Sequence, residues 1–130
     1  MDLERRTVLA GTLALGAVGG AGAAQAQGTP AMYGLIGKMT AQPGKRDALI
    51  AILLDGVSGM PGCLSYIVAQ DPKDADAIWI TEVWDSPASH KASLSLPSVQ
   101  AAIAKGRPLI AGMDAGTETE VVGGHGLVKV

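Results

Sequence analysis

The stretch Ile78-Trp79-Ile80-Thr81-Glu82-Val83-Trp84 constrains this chain more than any other. It is built largely from β-branched and aromatic residues, which favour strands, and it stops at Asp85-Ser86-Pro87. Serine is a strong helix N-cap, and proline at the first helical position gives up an N–H that has no partner there anyway. A strand therefore runs straight into a capped helix, with Trp84 at the junction and His90 about one turn beyond it. Side chains alternate along a strand, so Glu82 and Trp84 share one face, while Ile78 and Ile80 point away from Trp79 and Val83. The indole is expected at the mouth of whatever the sheet and helix enclose.

The rest of the chain supplies the partners of this unit. Tyr33 to Thr40 reads as a strand, and Gln42-Pro43-Gly44 turns it. A helix is expected to open at Pro43 or its neighbour, with an apolar stripe of Leu49, Ile52, Leu53 and Val57 that Ile50 and Leu54 widen. Ser58-Gly59 and Pro61-Gly62 stop it. Cys63 to Gln70 is a second strand, Asp71 to Asp76 a polar turn, and Ala77 to Trp84 the third strand. The helix at Ser86-Pro87 runs to about Ser95. Pro97 starts another, carried by Val99, Ala102, Ile103, Leu109 and Ile110 to near Gly112. Thr117 to Val122 alternates as a fourth strand, followed by a glycine-rich segment around His125 and a short apolar tail.

This order, βαββαβ, is that of an α+β, ferredoxin-like fold with an antiparallel sheet. Helices cover one face of such a sheet, and the other should then be polar. Here the third strand is apolar on both faces, so the uncovered face calls for a second sheet. An identical subunit is its simplest source, which makes a homodimer the expected state. A domain of about 100 residues also buries only about two-thirds of its unfolded surface, so self-association helps it.

Residues 1–26 read as a leader rather than part of the fold. Arg5-Arg6 precedes a Gly-rich, weakly apolar run from Val8 to Ala24, and Ala24-Gln25-Ala26 fits a cleavage site. The arginine pair and the soft run favour a twin-arginine signal over a Sec signal, and the run is too weakly apolar to serve as a stable membrane anchor. Residues 27–130, with a core from 32 to 122, are expected as one domain, exported to the periplasm or secreted. The 130-residue chain has a formal net charge of −2 and no basic run, so nucleic acid is not an expected partner. Its one cysteine, Cys63, stands in an apolar strand start with no His or Lys near it in sequence, and reads as a buried, inert thiol.

Little in the domain carries chemistry. There is no metal-ligand spacing, no G-x-S-x-G elbow and no glycine-rich phosphate loop after a strand; the run Gly16 to Gly22 lies in the leader. What remains is Glu82, Trp84 and His90, with His90 placed to look into the space beside Trp84 if the helix folds back over the sheet. A histidine there is either a solvated residue of the first helical turn or a base or hydrogen-bond donor toward a phenol or quinol. Glu82 is expected to be hydrogen-bonded or paired, with Arg107 as a partner. Tyr66 and Tyr33 either meet an aromatic ligand or pack in the core or dimer contact. Arg107 is either an exposed helix-end cation or an anion gate at the pocket mouth.

Pro43-Gly44-Lys45, Pro61-Gly62-Cys63-Leu64-Ser65-Tyr66 and Glu82-Val83-Trp84-Asp85-Ser86 together resemble the antibiotic biosynthesis monooxygenase family, over about Tyr33 to Val122. The resemblance implies a dimeric α+β barrel. It also implies a cofactor-independent monooxygenase that oxidises a small phenolic or quinol-type aromatic with molecular oxygen, needing neither cofactor nor metal. His90 and Trp84 are then the catalytic pair, with Glu82, Tyr66 and Arg107 binding substrate. The alternative is a non-catalytic ligand-binding dimer of the same fold. The haem-degrading branch relies on an Asn, the strand-end Trp and a later helix His. This chain contains no Asn and places Ser93 and Leu94 near that His position, so only Trp84 matches.

Overall fold

The computed structural model of the protein describes residues 31–128. The expected leader, residues 1–26, lies outside the described residues. In chain order the elements are β1 (Met32–Ala41), α1 (Arg46–Gly56), β2 (Cys63–Gln70), β3 (Ala77–Trp84), α2 (Pro87–Ser93), α3 (Pro97–Gly106), a single 3-10 turn (Arg107–Leu109), β4 (Ile110–Met113) and β5 (Thr117–Val121). Every strand pairing is antiparallel, in the order β2-β3-β1-β4, and β5 also pairs with β1. This is the expected ferredoxin-like sheet with its last strand divided in two. Among the described residues no helix is long and apolar enough to cross a membrane.

The division is a correction to the sequence reading, which carried the last helix to near Gly112. Pro108 has no N–H to return to the preceding turn, so the α-helix cannot continue through it. The helix instead ends at Gly106, tightens through Arg107–Leu109, and lets Ile110–Met113 pair with Met39–Ala41 of β1. Asp114 then turns the chain: its Oδ1 accepts from the backbone N–H groups of Lys38 and Gly116, at 3.1 Å each. Gly116 takes φ +77°, a left-handed conformation that side chains resist. After the turn, β5 pairs with the first half of β1, Met32 to Ile36.

The first helix also starts later than Pro43. Pro43-Gly44 is spent on the turn, Gly44 has φ +74°, and α1 begins at Arg46. Its N-terminus is tied to the β2–β3 turn by Arg46, whose Nη1 donates to the carbonyls of Asp71, Asp74 and Ala77 at 3.2, 2.8 and 3.3 Å. The junction at Ser86 forms as read: its Oγ accepts from the Ser89 N–H at 3.1 Å, and Pro87 opens α2. That helix ends at Ser93, two residues early, in a run of tight turns before Pro97.

The core lies between the sheet and helices α1 and α3. Met39, Ala41, Leu49, Ile78 and Ile80 are buried together, and Ile50, Leu53, Tyr66, Val68, Leu109 and Ile110 pack against them. Leu54 departs from the expected stripe and is 55% exposed. The other sheet face carries Ile36, Ile67 and Trp79, all exposed in the single chain. The apolar second face read from β3 therefore exists as a surface across three strands. Trp79 is anchored there, its Nε1 donating to Asp71 Oδ2 at 2.9 Å, with the Lys38 ammonium 5.5 Å from its ring centroid.

Candidate functional site

Between the sheet and the helices lies a cavity of about 560 Å³. The sheet contributes Leu35, Met39, Tyr66, Glu82 and Trp84, α1 contributes Leu49 and Leu53, and α2 and α3 contribute His90, Ser93, Val99 and Ile103. A volume of this size is typical of small-molecule pockets, which are mostly apolar with a few placed polar groups. All five residues singled out from sequence, His90, Trp84, Glu82, Tyr66 and Arg107, line it.

The polar centre is built at the β3–α2 junction. Alternation puts Glu82 and Trp84 on the cavity face of β3, and the indole Nε1 donates to Glu82 Oε1 at 2.9 Å. The same oxygen lies 3.8 Å from His90 Nε2. His90 reaches that position because Ser86 and Pro87 start α2 at once after β3, and the helix turns back over the sheet. Its ring packs edge-on against Trp84 at 5.4 Å and tilted against Tyr33 at 5.5 Å, centroid to centroid. The His90 side chain keeps 23% of its surface exposed and Glu82 keeps 13%, so His90 is a packed member of the wall. Trp84 is 1% exposed. The indole is thus a buried wall of the site rather than a feature of its mouth.

The environment sets the protonation of this group. Burial pushes the Glu82 carboxyl above its usual range, opposed by the Trp84 N–H and by the charge of His90 when protonated. Burial also drives the Tyr66 hydroxyl far up, with the neighbouring Glu82 charge adding to it, so Tyr66 stays a neutral hydrogen-bonding group. Cys63 is half-buried and its thiol is likewise pushed up by burial, which fits the inert reading. Among the described residues no ion pair joins Glu82 to Arg107; the carboxylate's partners are Trp84 and His90. No group of three His, Cys, Asp or Glu able to hold a metal occurs among the described residues.

The geometry gives two further residues a defined place at the site. Ser93 is buried, lines the cavity, and donates from Oγ to the His90 carbonyl at 2.6 Å; its i+3 spacing from His90 was the available signal. Tyr33 was expected either to meet an aromatic ligand or to pack in the core or dimer contact. It packs on His90 and donates its hydroxyl to Glu118 Oε2 at 2.8 Å. That arrangement depends on β5 pairing with β1, which no local pattern encodes. Ser93 and Leu94, near the position of the later helix His in haem degraders, do line the cavity but carry no imidazole.

Comparison with known proteins agrees with this fold. The sequence profile of the family described as antibiotic biosynthesis monooxygenase matches residues 32–105. The crystal structure of a Chloroflexus aurantiacus protein assigned to the same family is similar at a TM-score of 0.73 and 78% identity, over 75% of this chain and 99% of that one. A Caulobacter crescentus protein assigned likewise is similar at a TM-score of 0.66 and 22% identity, over 73% of this chain and 93% of its own. A Pseudomonas aeruginosa protein follows at 0.65 and 21%, over 73% and 98%. At such identities the last two share the fold alone. No curated protein matches the chain in sequence.

Proposed function

The chain belongs to the antibiotic biosynthesis monooxygenase family, and from that premise we propose that it is a cofactor-independent monooxygenase of a small phenolic or quinol-type aromatic. The observation that carries this reading is the convergence of His90, Glu82 and Trp84 on one apolar cavity of about 560 Å³. In such chemistry an electron-rich substrate anion reduces oxygen itself. The protein has to remove the substrate proton, hold the anion and keep water out.

His90 is the base for the phenolic proton. Glu82, 3.8 Å from its Nε2, offsets the positive charge that the ring acquires, and the Trp84 N–H fixes the carboxylate for that task. The substrate anion then passes an electron to oxygen, and the two radicals join through a carbon–oxygen bond. Loss of water from the resulting hydroperoxide gives a quinone, so that substrate and one oxygen molecule become quinone and one water. Leu35, Leu49 and Val99 pack the ring and exclude solvent.

The second reading is a non-catalytic ligand-binding dimer. The largely apolar lining of the cavity favours it, because such a wall binds aromatics whether or not they react. Oxygen uptake with a panel of phenols and hydroquinones separates the two. In the oxygenase reading, His90→Ala lowers turnover by about 10²-fold, the low end for loss of a general base, with ligand binding retained. If the parent binds aromatics but consumes no oxygen with any of them, the ligand-binding reading stands alone.

The working form in both readings is a homodimer joined through the Ile36, Ile67 and Trp79 face, exported after cleavage near Ala26. The exposed apolar sheet face supports the first part and the Arg5-Arg6 leader supports the second.

A further inference from the structure

Arg107 stands at the join of two hollows. Besides the main cavity it lines a second of about 310 Å³ with Leu94, Gln100, Ile103 and Ala104. Leu94, Ile103 and Arg107 belong to both walls. Leu94 and Ile103 are 48% and 40% exposed, although each also faces the interior space. The wall shared between the cavity and the outer hollow is therefore made of half-exposed side chains.

The two arginines of the described domain behave differently. Arg46 is committed to three backbone carbonyls. Arg107 is exposed, and among the described residues no carboxylate or carbonyl takes its guanidinium. The charge-bearing residues lining the main cavity are Glu82, His90 and Arg107. An anionic group on a ligand is repelled by a Glu82 carboxylate, and Arg107 is the one permanent cation that the cavity wall offers it. The guanidinium fork suits a carboxylate in particular, which it binds through two parallel hydrogen bonds.

We propose that the site takes a phenol bearing a carboxylate, with the hydroxyl inside at His90 and Glu82 and the carboxylate held at the Leu94–Ile103 mouth by Arg107. This deepens the reading of the cavity as a phenol site and rests on it. The ring fills the apolar middle, while the acid stays in the hydrated mouth and is not desolvated. Arg107 is then a specificity determinant, and neutral phenols of equal size are the poorer ligands.

Titration calorimetry with 6-hydroxy-2-naphthoate and its methyl ester tests this, because the two share shape and hydroxyl and differ in charge. The acid is expected to bind about tenfold or more tightly than the ester, the scale of one charge-assisted contact. Arg107→Gln is expected to remove that preference by weakening the acid alone, and Arg107→Lys to recover part of it. Added salt should weaken the acid and spare the ester, since Arg107 is exposed. Equal affinities for the two probes in the parent, an equal loss of both in Arg107→Gln, or no binding of either, overturns the proposal. Oxygen uptake is read separately: selective acid binding without oxygen consumption leaves this inference standing and removes the oxygenase reading.

Discussion

Replacing Trp84 tests the centre of the site and the fold together. The residue is 1% exposed, and its N–H is a partner of the Glu82 carboxylate at 2.9 Å. Truncating a buried aromatic to alanine costs about 3–5 kcal/mol. Trp84 lines the cavity, so its removal enlarges an existing space rather than opening a sealed void, and about 3 kcal/mol is the fitting end of that range. Glu82 is then left buried without its donor, which adds about 1–3 kcal/mol. Trp84→Ala should therefore lose about 4–6 kcal/mol. At about 4–8 °C per kcal/mol for a domain of this size, the melting temperature should fall by at least about 16 °C. Calorimetry at fixed protein concentration measures this. Trp84→Phe separates the two contributions: it keeps most of the ring and loses the N–H, and should cost about 1–3 kcal/mol. In the Trp84→Phe background, Glu82→Leu removes an already stranded carboxylate, so it should be milder than in the parent, with a coupling of about 1–2 kcal/mol. Strictly additive effects would show that the 2.9 Å bond contributes nothing and would refute the reasoning.

Glu82 also sets a pH dependence. Burial raises its folded value above the ordinary 4.5, so between the two values the folded state holds a proton that the unfolded state has released. Stability is full below the ordinary value and declines as pH rises through the folded one. Glu82→Gln should flatten that decline and gain on the parent as pH rises from about 4 to 8 in thermal melts; parallel pH profiles would contradict it. Ile67, 56% exposed on the open sheet face, is the place to break the proposed dimer. Ile67→Lys should sediment at monomer mass where the parent sediments as a dimer, and a parent that is monomeric at micromolar concentration defeats the dimer proposal. Replacing Arg5 and Arg6 with Lys should leave the precursor in the cytoplasm, and unchanged export would assign the leader to the Sec route instead.

Much of this architecture is local, and local features are legible in a sequence. β2 and β3 begin and end as alternation and turn chemistry require, at Cys63–Gln70 and Ala77–Trp84. The Ser86 cap and Pro87 start form as read, because a cap needs only residues within one turn. Glu82 and Trp84 meet because a strand returns to the same face every second residue. From the cap and that periodicity together, the sequence alone brought His90, Glu82 and Trp84 to one region.

The rest needed the tertiary structure. Leu109-Ile110 looks equally apolar in a helix or a strand, and only the free edge of β1 at Met39–Ala41 made Ile110–Met113 a strand. Leu54 fits a helical stripe by spacing but lies past the edge of the packed face, where no neighbour covers it. The pairing of Glu82 with His90 rather than Arg107 depends on how far α2 turns back over the sheet, which a cap begins but does not aim. The packing of Tyr33 on His90 depends on register between β1 and its two neighbours, a contact across more than fifty residues of chain. Periodicity says which face a side chain takes. Which side chain it meets is decided by the packing of whole elements, whose energies are non-local and leave no mark in any one segment.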